Sequence, residues 1–214
     1  MSAFLIFFGR GGSSDIEQQL DKVKLAIGAV VLGRAADAGF SRLYAVTNDD
    51  EAAAAFRAKG AAILPARTEP FHFGQELSRI VHEKKLDRVC TIGAGAGALL
   101  QTSELRALRE DLESSEAVVL SNNSYSADLV AFTPASALDA IDLPATDNPL
   151  PRRLHQQAGL SSRQLASRRR RSSTSTRRRT RRSSRGIRGA RRSSALSRRG
   201  RTFSPTGSRR SCAS

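Results

Sequence analysis

The chain has 214 residues and a formal net charge of +15, but that charge is not spread along it. Residues 161–214 hold 19 of the 35 Lys and Arg, all of them Arg, with 15 Ser and no acidic residue, whereas the first 160 keep 16 basic against 20 acidic side chains, a net of −4. The basic total therefore describes an appendage, and it excludes nothing and implies nothing about the partners of the folded part.

A segment of 160 residues is long enough for one domain with a proper core. A tail of Arg and Ser with one aromatic, Phe203, cannot bury enough apolar surface to offset chain entropy. One domain over residues 1–160 and a disordered extension over 161–214 are expected. Cys90 in an apolar run and Cys212 near the end form neither a disulfide framework nor a metal-type cluster, which suits a reducing, cytoplasmic setting. The apolar opening over residues 3–8 has no basic stretch before it and runs into Gly-Arg-Gly-Gly, so it reads as a buried strand rather than a leader. No stretch approaches the length of a membrane span, and no membrane partner is expected.

In chain order, short apolar runs bounded by Gly or Asp predict strands over residues 3–8, 43–47, 62–64, 88–92, 117–121 and 129–133. Helical patterns fall between them near 26–38, 51–59, 74–83, 103–113 and 134–140. That rhythm is the one of βαβ units, and it predicts an α/β fold: a three-layer sandwich around a mainly parallel, Rossmann-like sheet.

In open α/β sheets, ligands lie beyond the carboxyl ends of the strands, so the candidates are the loops that leave them. The first is Gly9, Arg10, Gly11, Gly12, Ser13, Ser14. Its glycines allow the backbone close to a phosphate, and Arg10 and the hydroxyls add charge and hydrogen bonds. A tight strand exit accounts for the glycines equally well. Thr47-Asn48-Asp49 reads as a helix cap. His72, alone between Phe71 and Phe73 and followed by Gly74, reads as packed rather than catalytic. The run Gly93-Ala94-Gly95-Ala96-Gly97-Ala98 has no acid–base group but lets a ligand lie against the backbone. Asn122, Asn123, Ser124, Tyr125, Ser126, Ala127 and Asp128 hold the only carboxylate in a strand-following loop after residue 90, and more hydrogen-bonding groups than a turn requires.

Taken in order, Gly11-Gly12-Ser13-Ser14, Asp21-Lys22 with Gly28 six residues later, Val46-Thr47-Asn48-Asp49 and the glycine-rich loop ending Leu99-Leu100 resemble the MobA-like nucleotidyltransferases. That class includes molybdenum-cofactor guanylyltransferase and the guanylyltransferase of coenzyme F420 synthesis. The resemblance covers most of residues 3–160 and implies a nucleotide-diphospho-sugar transferase-like sheet. It further implies transfer of NMP from an NTP, GTP favoured, to a small phosphorylated or acidic acceptor in cofactor biosynthesis, with pyrophosphate released. On this resemblance Gly9 to Ser14, Lys22 (Lys24 if the register shifts by two), Gly93, Gly95 and Gly97 hold the nucleotide, and Phe73-Gly74 meets the base. Asn122, Asn123, Tyr125 and Ser126 face the acceptor. Two departures stand out. The loop between Ser14 and Asp21 is long and lacks the class's arginine, leaving Arg10 to substitute in part. The acidic ligand for Mg²⁺ expected within residues 93–98 is also missing. Either Asp128 supplies that ligand or the chain binds nucleotide without catalysing transfer.

The tail has two readings. As it stands it is a polycation able to bind RNA or DNA with steep salt dependence. A run of Arg, Ser and Thr without Lys, Asp or Glu is also what a GC-rich gene yields out of frame. Shifting Ser172-Ser173-Thr174-Ser175-Thr176-Arg177-Arg178-Arg179-Thr180 back by one base, with TCN, ACN and CGN codons, permits Phe-Asp-Ile-Asp-Thr-Pro-Ala-Asp at all eight positions. That string resembles a closing segment of the same nucleotidyltransferases, and it predicts a frameshift between about Leu160 and Ser172. Resequencing the coding DNA from codon 150 past the stop checks this. One inserted or missing base restoring that string is the expected result, and an intact frame with no such string makes the tail a genuine nucleic-acid-binding candidate.

Overall fold

A computed structural model of the chain describes residues 1–165, so the expectations of disorder, of nucleic-acid binding and of an out-of-frame tail beyond them lie outside the described residues. The elements in order are β1 (Ser2–Phe7), α1 (Asp15–Asp37), β2 (Arg42–Val46), α2 (Asp50–Arg57), β3 (Ala62–Leu64), α3 (Phe73–Lys84), β4 (Arg88–Gly93) and α4 (Thr102–Glu113). After them come β5 (Val118–Ser121), β6 (Leu129–Thr133), a 3₁₀ turn over Ala135–Ala140, α5 (Leu150–Gln156) and β7 (Ser161–Gln164). The strands form one sheet of seven in the order β3-β2-β1-β4-β6-β5-β7. Every neighbouring pair is parallel except that β6 runs against both β4 and β5. The α/β class, the three layers and the mainly parallel sheet are therefore as the sequence predicts.

Strand alternation divides the core in two. Phe4, Ile6, Cys90 and Ile92 point to the side covered by α1, α2 and α4, where they pack on Leu25, Leu32, Phe56, Leu105 and Leu112. Leu5, Val89, Val130 and Phe132 point to the other side, under Phe73, Leu77 and Ile80 of α3, Leu138, and Leu150 and Leu154 of α5. Burying each such side chain contributes about 1.5–3 kcal/mol, which is why a short apolar run suffices to fix each central strand.

Three elements depart from expectation. Helix α1 begins eleven residues before the predicted start at 26, nucleated by a reciprocal cap in which Ser14 accepts from the Glu17 N–H while the Glu17 carboxylate accepts from Ser14. Its apolar residues lie on two sides: Leu25, Gly28, Val31, Leu32 and Ala35 are buried, while Ile16, Leu20, Val23 and Val30 stay exposed, so no single stripe marks the helix. Helix α5 starts Leu-Pro directly after Pro149, and its two buried leucines are too few to show a period. Strand β7 has all four residues exposed and no alternation; it continues the sheet past Leu160, with the Leu165 N–H donating to the Ser121 carbonyl at 2.9 Å. No helix among the described residues is long and apolar enough to cross a membrane.

Gly74 shows what its position demands. Its N–H donates to the Pro144 carbonyl at 2.8 Å, and a Cβ there would stand 2.7 Å from that oxygen and 2.9 Å from the Pro144 nitrogen. The glycine is thus taken up by the close approach of α3 to the 144–145 segment. Gly74→Ala is expected to cost about 1–3 kcal/mol, the usual penalty of overpacking, read as a lower urea midpoint at unchanged m-value.

Candidate functional site

The carboxyl ends of β1 and β4 lie side by side at the middle of the sheet, with β2 beyond one and the start of β6 beyond the other. Between their exits opens a cavity of about 640 Å³, within the range of small-molecule sites. Phe7 of β1 with Phe8 and Gly9 just after it, Thr91, Ile92 and Gly93 of β4, and Val130 of β6 with Asp128 just before that strand line it. Its outer wall is Ala66, Thr68, Glu69, Phe71 and Phe73, with Ala145, Thr146 and Asp147 closing the far side. Phe7 lies 5.0 Å from Phe73 and 6.4 Å from Phe71 between ring centroids, and Phe71 is 53% exposed at the rim, so one wall is an aromatic surface open at its edge. The Thr91 hydroxyl lies at the cavity, buried and without a hydrogen-bond partner among the described residues.

The outer wall is held from beneath. Asn48 grips Ala66 twice, donating to its carbonyl at 3.0 Å and accepting its N–H at 2.9 Å. Glu76, wholly buried, accepts the N–H groups of Arg67 and Thr68 at 2.5 and 2.6 Å and pairs with Arg79 at 2.6 Å. Burial alone would push the Glu76 carboxyl up; the Arg79 guanidinium and the two backbone donors outweigh it and hold the carboxyl below the usual range.

At the mouth, α1 returns a side chain between the two glycine loops. Asp21, 2% exposed, accepts the Gly11 N–H at 2.9 Å and the Lys24 ammonium at 3.0 Å. The Gly11 donor, then Lys24, keeps its carboxyl below the ordinary range. The Lys24 stem lies against Gly95, where a Cβ would sit 3.0 Å from Lys24 Cγ. Lys22, two residues earlier and on another face of the helix, is exposed. Arg10 is engaged by Asp49 and Glu51, and Asp49 also caps α2 through the Ala52 N–H.

Across the cavity stand two carboxylates. Asp128 comes from the loop already singled out, and Asp147, half-buried, from the segment before α5. Burial raises the Asp147 carboxyl above its ordinary range, and the charge of Asp128 raises it further. Such a pair is relieved by a divalent cation. No group of three or more acidic, His or Cys side chains among the described residues could hold a metal alone, so an ion here would complete its shell with substrate oxygens and water, as Mg²⁺ habitually does.

Of the residues singled out in the sequence, Gly9, Phe73, Gly93 and Asp128 line this one cavity. Gly11, Lys24 and Gly95 meet two residues beyond its Gly9 and Gly93 lining, and Arg10, Gly12, Ser13 and Ser14 continue the first loop into the cap of α1. Gly97, at φ +76, makes a tight turn packed on Ile92 and Leu100. Asn122 accepts the Leu129 N–H and Asn123 the Tyr125 N–H, so both shape their own loop; Ser126 donates to Asn148, and Tyr125 is 82% exposed outside the cavity. Sequence reasoning passed over Asp147 because it follows no strand, Glu76 because it looks like a helix-surface acid, and Asn48 because the neighbouring Asp49 accounts for the cap.

Neither a family model nor a curated sequence matches the chain. Solved structures share its fold. A cytidylyltransferase from Leptospira borgpetersenii serovar Hardjo-bovis superposes with a TM-score of 0.59 at 14% identity, covering 78% of this chain and 76% of that one. CMP:2-keto-3-deoxy-manno-octonic acid synthetase, solved with CTP, gives 0.53 at 13% identity over 78% and 90%. A protein of Mycobacterium tuberculosis H37Rv solved with manganese gives 0.50 at 17% identity over 78% and 87%. The chain thus shares the fold of these structures, among which are a cytidylyltransferase and a synthetase solved with CTP.

Because the folded-state carboxyl of Glu76 lies below its unfolded value, its contribution to stability is fully present above about pH 4.3 and fades as pH falls through the lowered value. Glu76→Gln is expected to cost about 1.5–3 kcal/mol at pH 7, the worth of charge-assisted hydrogen bonds, because Arg79 keeps its pair with Glu83, and the gap to wild type should narrow in urea titrations below pH 4.

Proposed function

We propose that the chain is a nucleotidyltransferase that binds a nucleoside triphosphate, GTP favoured, across this cavity and passes its nucleotidyl group to a small phosphorylated or acidic acceptor. The observation that carries the reading is a strand-end crevice lined by an aromatic slot and a pair of carboxylates, from which run two glycine loops joined through Lys24. The base would lie against Phe71 and Phe73, where Glu69 offers a carboxylate to the N1–H and amino donors of guanine. The triphosphate would follow the Gly9 to Ser14 backbone toward the Lys24 ammonium, a point charge that Asp21 holds at the mouth.

Asp128 and Asp147 are the residues that would hold Mg²⁺, which when bound supplies charge neutralisation at the phosphates. In the transfer, an acceptor oxygen forms a bond to the α-phosphorus as the bond to the bridging oxygen of pyrophosphate breaks, and the acceptor's proton, where it carries one, leaves to solvent. Positioning and charge compensation do nearly all of this work, so no acid–base side chain is required at the 93–98 loop. The absence of a carboxylate from that loop favours a second reading, a nucleotide-binding protein without transfer activity.

Calorimetry with GTP, CTP and ATP, with and without Mg²⁺, joined to a pyrophosphate-release assay over phosphorylated and carboxylic acceptors, tests the proposal. Metal-dependent binding with pyrophosphate release is expected. Lys24→Ala should weaken nucleotide binding about 10- to 100-fold, the worth of a charged hydrogen bond, and Lys22→Ala less than about twofold. Metal-independent binding without pyrophosphate release would leave only the second reading, and equal losses for the two lysines would contradict the assignment of Lys24.

A further inference from the structure

A second, smaller cavity of about 310 Å³ opens beside the first, lined by Ser124, Tyr125, Arg152, His155, Gln156 and Ser162. Its chemistry is opposite to that of its neighbour. No carboxylate lines it, and Arg152 has no ion-pair partner among the described residues. The His155 ring is already oriented: Nδ1 faces the Leu160 carbonyl at 2.7 Å, which makes Nδ1 the donor and leaves Nε2 for a ligand. Three hydroxyls, from Ser124, Tyr125 and Ser162, complete the lining.

The two cavities draw on the same two chain segments, with no residue lining both. The 122–128 loop gives Tyr125 to the small one and Asp128 to the large one, and the segment from 147 gives Asp147 to the large one and Arg152 and His155 to the small one. Ser126 and Asn148 join the two segments by a 3.3 Å hydrogen bond. Asp128 follows Tyr125 by three steps of chain, so their Cα atoms lie within about 11 Å, the span of a small metabolite.

We propose that this cavity is the acceptor's anion subsite: it seats a phosphate-monoester head group, while the other end of the acceptor presents its attacking oxygen at Asp128 and Asp147. A phosphate is favoured over a carboxylate because the guanidinium fork and three hydroxyls spread their donors over more directions than the two coplanar oxygens of a carboxylate take up. The acceptor is then a bifunctional molecule, with an anionic head and a separate oxygen nucleophile. This inference rests on the transferase reading for its meaning, but the binding of the anion can be measured without it.

The chain contains three histidines, His72, His82 and His155, and none lies in the Arg-rich tail. Their ring signals in NMR of the full chain therefore report local binding and ignore phosphate held by tail arginines. His155 reports the small cavity, His72, which caps α3 and is flanked in sequence by Phe71 and Phe73 of the large one, reports that wall, and His82, paired with Asp139, serves as a control. On titration with inorganic phosphate at constant pH and ionic strength, the His155 signal is expected to shift saturably while His72 and His82 stay still. Arg152→Ala should raise the phosphate concentration for half-saturation at least tenfold with His72 and His82 unchanged, which shows the fold intact. Acetate should move His155 less than phosphate does. An unmoved His155, an equal drift of all three rings, or a shift that survives Arg152→Ala would overturn the subsite, and acetate matching phosphate would overturn its phosphate preference. Titration with GTP and Mg²⁺ reads the other reading separately: His72 unmoved by GTP would count against the nucleotide cavity whatever His155 does with phosphate.

Discussion

A carboxylate cannot be buried unless it is paired, and that constraint at Asp21 organises the mouth of the site. At 2% exposure, Asp21 needs donors, and it finds them in the Gly11 N–H and the Lys24 ammonium. Each partner has a second consequence. The Gly11 bond ties the first glycine loop to α1, which would otherwise project freely beyond the sheet. The Lys24 bond lays the lysine stem across Gly95, where any larger residue would crowd it, so the second glycine loop is held at the same place. Loops leaving β1 and β4 are thereby brought under one cation at the point where the strands end.

The opposite side of the cavity repeats the device with other residues. Glu76 is buried among donors from the 66–68 segment and Arg79, so the aromatic wall stands on a fixed footing rather than on a free loop. Asp147 is the exception: half-buried beside Asp128, it has no ion-pair partner among the described residues, and burial raises its carboxyl. An apolar slot, two carboxylates without ion-pair partners among the described residues and a lysine between the neighbouring glycine loops form an arrangement suited to a polyanion carrying an aromatic base.

Most of the sheet was legible in the sequence because its central strands are buried on both faces and read as uninterrupted apolar runs, as in residues 3–8 and 129–133. What was not legible had physical reasons. The first half of α1 carries apolar residues on two faces, so its period cancels, and only the Ser14-x-x-Glu17 cap betrays its start. That early start decides which lysine faces the loop: with the helix running from Asp15, Lys24 falls on the side of Asp21 and Lys22 does not, a distinction a motif match cannot make. Asp147 and β7 depend on tertiary pairing alone, one through the close approach of Pro144 to Gly74, the other through the backbone edge of β5.

The most direct measurement of the central claim, that nucleotide lies across the β1 and β4 strand ends, is hydrogen–deuterium exchange of the full chain with and without GTP and Mg²⁺. Slowed exchange at residues 9–14, 66–73, 93–97 and 126–130 is the result this account requires. Protection confined to residues beyond 165, or to none of these segments, would contradict it.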